Sequence, residues 1–271
     1  MDVRVVGMDC DPSAVERARR TPPALAPRFT AVRARFSELE SALESLGIAE
    51  VDGILADLGI SSTQLDDPVR GLSFDREGPL DMRLDPTRPE TADALISHAD
   101  DATLTRWLSE YGELPRAHAA VRAIRRQRHA LGHLTTRGLR DALEPLYRGP
   151  TRHRRLAQAF QALRMAVNHE LEELRALLDA AARIVRPGGT LVVIAYHSLE
   201  DRMVKQAFRP PRPLDMWEEP APEPWDPITP KPLRPSDAEI HDNPRAGSAR
   251  LRAARRRPGV AAPVRREGGP T

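Results

Sequence analysis

The 271-residue chain contains one cysteine, Cys10. No internal disulfide can form, which fits a reducing compartment and excludes the disulfide-stapled secreted scaffolds. Aromatic residues make up 4% of the chain, so its core must come mainly from aliphatic side chains. No run is long and apolar enough to span a bilayer, and no signal segment is evident, so the expected location is cytoplasmic, with no membrane partner. Metal-ligand patterns are also missing. His129 and His133 have a spacing that a metal can use on a helix, but the intervening Leu131-Gly132 disfavours a helix there and no third ligand is obvious. No metal site is expected. No nucleophile elbow is present either, since Asp57-Leu58-Gly59 with Ser61 and Ser62 does not match one.

Charge of one sign is not in excess: the net charge is +2. Its distribution is more informative. Eight arginines fall between Arg245 and Arg266 with no acid until Glu267, and further clusters are Arg122, Arg125, Arg126, Arg128 and Arg152, Arg154, Arg155. Such runs are ordinarily solvated faces, but three of them in one chain point to a polyanion partner.

Residues 3–8, apolar except for Arg4, lead to Asp9. Asp11 can cap a helix over 12–20 that has Pro12 at its first position. A strand at 29–32, a helix at 36–46 and a buried strand at 51–56 complete a βαβ rhythm, hence a parallel sheet. From 91 the pattern turns helical, with helices expected at 92–98, 102–111, 116–128 and 136–146. Leu156 opens what reads as one long amphipathic helix, with Phe160, Leu163, Val167, Leu171, Leu174, Leu178, Ala181 and Val185 on one face. Pro187-Gly188-Gly189 stops it, and a buried strand follows at 190–196. The proline-rich stretch 209–235 reads as extended loop, 248–255 as a last strand, and 258–271 as a disordered basic tail. The expected division is an α/β domain formed by 1–90 and 154–257, interrupted by a helical insert at 91–153.

An apolar strand that delivers Asp57 to a loop rich in Gly, Ser, Asp and Gln is how an open α/β sheet builds a small-ligand site. Asp9 ends the first strand in the same way and is either a ribose acceptor or a turn residue. On periodicity alone Phe36 is a core residue at the start of a helix, and Asn168, near the buried face of its helix, is a buried amide satisfied by backbone. Glu200, Asp201 and Arg202 suit a helix start.

Three segments are more specific: QLDD (64–67), GPLDMR (78–83) and AYHSLEDRMVK (195–205). With VVGMDCDPSAVERA and RRLAQAFQALRMAVNHEL, they resemble the bacterial N4-cytosine methyltransferases of 16S ribosomal RNA along nearly the whole chain. The resemblance implies a Rossmann-like class I methyltransferase sheet with an inserted helical subdomain. It also implies S-adenosylmethionine as cofactor, and methyl transfer to a cytosine in the decoding region of 16S RNA, free or in the small ribosomal subunit. On this basis Asp9 takes the ribose, Phe36 lines the adenine pocket, and Asp57 and Gln64 contact the cofactor. Asp57, Asn168, Tyr196 and His197 attend the reacting base, with Tyr196 and His197 suited to stacking on a flipped base and reading its edge.

One departure is large. The family's first strand and its glycine-rich turn, Asp-Gly-Thr-x-Gly-x-Gly-Gly-His, precede the Asp-x-Asp-Pro motif, and here that motif begins at Asp9, eight residues after Met1. Two explanations compete: a native start further upstream, or a degenerate RNA-binding relic of the same fold. Either way the strand ending at Asp9 is expected to lack its central neighbour, and this chain is expected to hold adenosylmethionine poorly. Milder departures are YGELPRAHAAVRAI, which loses an acid and an aromatic, and the missing Pro-Ala-Thr-Arg ahead of FQALR.

Overall fold

The computed structural model describes residues 3–20, 24, 26–209 and 223–260. In chain order the elements are β1 (Val5–Asp9), α1 (Pro12–Arg19), β2 (Phe29–Arg33), α2 (Leu39–Ser45), β3 (Val51–Asp57) and α3 (Ser62–Asp66). Then come α4 (Ala92–His98), α5 (Asp101–Arg106), α6 (Ala117–Leu131), α7 (Thr136–Leu143), α8 (Arg152–Asn168) and α9 (Glu170–Ile184). The chain finishes with β4 (Val185–Ala195), α10 (Ser198–Phe208), β5 (Trp225–Pro227), α11 (Asp237–Asp242) and β6 (Arg250–Arg256). The class is α/β, as expected. Two compact units form, one from Met1–Arg33 with Ile60–Glu170 and the other from Ala34–Gly59 with Leu171–Thr271.

In the first unit β1 and β2 make a two-stranded parallel sheet, paired from Val5↔Phe29 to Asp9↔Arg33. Helix α1 joins them. Asp11 caps it by accepting the Ser13 N–H at 2.9 Å, and Pro12 takes the first position, where no N–H is needed. The remainder is helical around a core that includes Ile96, Leu104, Leu108, Ile124, Leu139 and Leu163. Helix α4 has the bounds that its periodicity predicts. Helix α6 runs three residues past the expected 128 and stops where Gly132 turns to φ +79°. His129 is therefore helical and His133 is not. After α5 a π turn, Trp107–Tyr111, leads into Gly112, where a Cβ would sit 2.8 Å from the carbonyls of Leu108 and Gln158. The backbone of α8 passes too close for any other residue.

The expected single helix from Leu156 to Val185 is two. His169, at φ 54°, closes α8 in the left-handed region and α9 begins at the next residue. The apolar spacing carries through the break because both helices bury a stripe. Those stripes serve different cores: Leu156, Phe160 and Leu163 lie in the first unit's, whereas Leu174, Leu177 and Leu178 belong to the second unit.

The second unit holds a four-stranded sheet in the order β3-β4-β6-β5, with β3 parallel to β4 and the other pairs antiparallel. Two expectations need correction here. Strand β4 begins at Val185, so Pro187-Gly188-Gly189 lies within it at a register shift and ends no helix. The proline-rich stretch contains β5, held because Trp225 is buried against Phe208.

Strand β3 is also less buried than its sequence suggests. Only Ala56 among its residues is buried, and Leu55 is 70% exposed. Among the described residues β3 is paired on one side alone, and so is β1, whose Val5 is 48% exposed.

The arginine-rich C-terminal run is largely not a tail. Arg252 and Arg256 are buried in β6. Arg252 donates to both oxygens of Asp201, at 2.6 and 3.2 Å, and Arg250 reaches the same carboxylate. Arg256 donates to the carbonyls of Ala182, Pro224 and Val260. These charges hold α10, α9 and β5 to the sheet. Arg265 and Arg266 lie outside the described residues.

Candidate active site

The site residues expected from sequence fall into two groups, one in each unit. Asp9, Gln64 and Asn168 belong to the first. Phe36, Asp57, Tyr196 and His197 belong to the second.

In the first unit Asp9 accepts the Asp11 N–H at 2.8 Å on one oxygen, and its other oxygen carries no hydrogen bond among the described residues. Burial pushes its pKa up, partly countered by that N–H and by the charges of Arg17 and Arg70. Asp11 is the anchor of the neighbourhood. It is 1% exposed and accepts from Ser13 Oγ, Gln64 Nε2 and Arg70 Nη2, each at 2.8 Å. Burial works to raise its pKa, but the hydrogen bonds from Gln64 and Ser13 and the Arg70 charge outweigh it, and the net shift is downward.

Gln64 is doubly engaged. Besides its bond to Asp11, its Oε1 accepts the Ser61 N–H at 2.9 Å while Ser61 Oγ caps α3. The second N–H of the amide makes no hydrogen bond among the described residues. Asp11, Ser13, Arg17, Gln64, Asp67 and Arg70 line a polar cavity of about 200 Å³.

Arg70 was not singled out by sequence reasoning, because an arginine in a loop is ordinarily solvated. It spans from Asp11 to the Leu84 carbonyl at 2.8 Å. The loop that it ties is unusually tight. A Cβ at Gly78 would lie 1.9 Å from the Pro68 carbonyl oxygen, and one at Gly71 would lie 2.1 Å from that of Pro79. Asn168 holds the loop's other end. It accepts the Leu84 N–H at 2.7 Å and donates to the carbonyls of Met82 and Arg164, both at 2.8 Å. Its amide is committed to backbone, so its part here is to position the GPLDMR segment.

In the second unit Phe36 opens a 3₁₀ turn and is half-buried. Glu173, on α9, fixes that turn by accepting from Arg35 Nε, Ser37 N and Ser37 Oγ at 2.9, 2.9 and 3.1 Å. Glu173 was also missed, because in sequence it is one of three glutamates in a solvated-looking helix.

Asp57 ends β3 beside Ile194 of β4, two residues before Tyr196. The Tyr196 hydroxyl donates to Asp57 Oδ1 at 2.9 Å. Burial and that bonded carboxylate push the phenol up to about 12. Adjacent parallel strands thus deliver an acceptor and an aromatic ring to one edge, as the sheet argument predicts. His197 is the N-cap of α10. Glu200, 3% exposed, accepts the backbone N–H groups of Tyr196 and His197 at 2.9 and 3.3 Å and lies 3.0 Å from His197 Nε2. The acid does begin a helix, and in doing so it orients the two residues expected to face the base.

The first unit thus holds a strand-end acid with one oxygen free of hydrogen bonds among the described residues, and the second holds an acid–phenol pair at parallel strand ends. Residues 1–257 match the MraW methylase family. The chain belongs to that family. Its relatives include the protein named Ribosomal RNA small subunit methyltransferase H from Sorangium cellulosum, 48% identical over 93% of this chain and 78% of its own. The proteins of the same name from Methylobacterium nodulans and Aromatoleum aromaticum are 44% and 42% identical, over 93% and 96% of this chain and 77% and 85% of theirs. The resemblance drawn from motifs is thereby shown for the family, and nothing in these matches favours a relic. Among the described residues no helix is long and apolar enough to cross a membrane.

Proposed function

We propose that this chain methylates N4 of a cytosine in the decoding region of 16S ribosomal RNA, in the cytoplasm, with S-adenosylmethionine as donor. The observation that carries the reading is the 48% identity, across 93% of the chain, to a protein named for methylation of small-subunit RNA. Among the residues available to hold the donor, Asp9 has an oxygen free for a ribose hydroxyl, Phe36 offers a ring for adenine, and Gln64 and Asp57 offer polar contacts. The donor supplies an electrophilic methyl group.

The exocyclic amine of cytosine is a weak nucleophile because its lone pair is delocalised into the ring. Asp57 accepts its hydrogen bonds as positive charge develops, which favours the transition state over the bound ground state. To do so Asp57 must exchange the Tyr196 hydroxyl for the amine, and the Tyr196 ring then stacks on the flipped base. Glu200 keeps Tyr196 and His197 in place. Asn168 and Arg70 keep the GPLDMR loop in place, which serves alignment.

The test is transfer of a labelled methyl group from adenosylmethionine to small-subunit RNA or subunits, with the product nucleoside identified by mass spectrometry. Transfer to a cytosine amine is expected. It should be lost in Asp57→Ala while the fold is retained. Label on any nucleoside other than N4-methylcytosine, or Asp57→Ala activity within threefold of wild type, would overturn the reading.

A further inference from the structure

Helix α6 separates its cations in a way that sequence alone could not show. Over Ala117–Leu131 it has no acidic residue. Arg125 and Arg128 turn inward. Arg125 pairs with Asp101 and caps the carbonyls of Ile96 and Ala99, and Arg128 pairs with Asp93. Arg122 and Arg126 do the opposite. With His118 they are exposed and form no hydrogen bond or ion pair among the described residues.

Positions 118, 122 and 126 recur every fourth residue. They occupy roughly 80° of the helix circumference and rise about 12 Å along it. The buried residues Ala120, Val121, Ala123 and Ile124 lie toward the other side. Just before the helix, exposed Arg116 stands at φ 63°, in the left-handed region that non-glycine residues rarely occupy.

We propose that the outer face of α6, with Arg116, His118, Arg122 and Arg126, is a docking surface for the phosphate backbone of folded RNA. A face that only needs solvation mixes signs, and this one has a single sign and no partners. Guanidinium groups, planar and weakly hydrated, suit phosphate. Contacts of this kind position a duplex or loop without reading its sequence. The inference rests on the proposed RNA methylation and names the surface that would hold its substrate.

The 271-residue chain is titrated with a small-subunit RNA fragment by fluorescence anisotropy at several salt concentrations. R122E/R126E is compared with R4E/R19E, which makes the same charge change at arginines exposed elsewhere in the same unit. Circular dichroism checks that each variant folds. R122E/R126E should flatten the slope of log affinity against log salt by about two, and R4E/R19E should leave it nearly unchanged. An unchanged slope in R122E/R126E, or an equal loss in both variants, would overturn the proposal. Methyl transfer is measured in parallel. Stripe-dependent binding with no methylation would reject the proposed function and keep this surface, whereas methylation indifferent to the reversal would reject the surface and keep the function.

Discussion

Replacing Asn168 by alanine should destabilise the first unit before it does anything else. The side chain is 6% exposed and makes three hydrogen bonds to backbone. The Arg164 carbonyl can fall back on its own helical bond. The Leu84 N–H and the Met82 carbonyl cannot, and each buried group left without a partner costs about 1–3 kcal/mol. Water entering the vacated space lowers the sum, so we expect a loss of about 3 kcal/mol, or roughly 1 M in the urea midpoint for a slope near 3 kcal/mol/M. Amide exchange at Leu84 should accelerate.

Asn168→Asp keeps the shape and reverses the polarity, so an ionised oxygen would face two carbonyls. Its folded-state pKa should be raised above the ordinary carboxylate value. The variant's stability is then fully present below about pH 4 and is lost as pH rises through the raised value. Urea unfolding at pH 4 and pH 7, with exchange at Leu84, measures both effects. An Asn168→Ala protein within about 0.5 kcal/mol of wild type, with Leu84 exchange unchanged, would show that the amide is not committed to the loop and is free for substrate.

Arg252→Ala should cost about 3 kcal/mol or more in unfolding free energy, because it leaves a largely buried Asp201 without its main partner, and should leave the salt dependence of RNA binding unchanged; a stable variant with a flatter salt slope would restore Arg252 to the polyanion surface. Asp11→Asn should destabilise at pH 7. Since the Asp11 pKa is depressed, its stabilisation is present above the unfolded value and is lost as pH falls, so the gap between variant and wild type should close on acidification in unfolding experiments. Tyr196 ionises in the unfolded chain before it does in the folded one, so stability should fall as pH rises from 10 toward 12, and Tyr196→Phe should flatten that fall. Ultraviolet titration of Asp57→Asn should find one tyrosine moved back toward 10, and no movement would remove the Asp57–Tyr196 bond.

Local chemistry was legible wherever neighbours in sequence decide it. Asp11 and Pro12 start α1 because a cap and its helix lie within three residues of each other. The bounds of α4 follow from its apolar spacing, and Asp57 with Tyr196 could be placed at a sheet edge because an apolar run ending in a polar residue reads the same in any parallel sheet. Family membership was legible in QLDD, GPLDMR and HSLEDR. Partners distant in the chain were not. Arg70 and Glu173 look solvated in sequence, and each is fixed by a contact that only the fold creates. The break at His169 was invisible because a stripe of apolar residues records burial and not which core receives it. Of the clustered arginines, Arg125, Arg128, Arg252 and Arg256 face carboxylates or carbonyls, whereas Arg122 and Arg126 face water. A charge's sign is written in the sequence, but its partner depends on which distant acid the chain folds beside it, and that is decided only by tertiary structure.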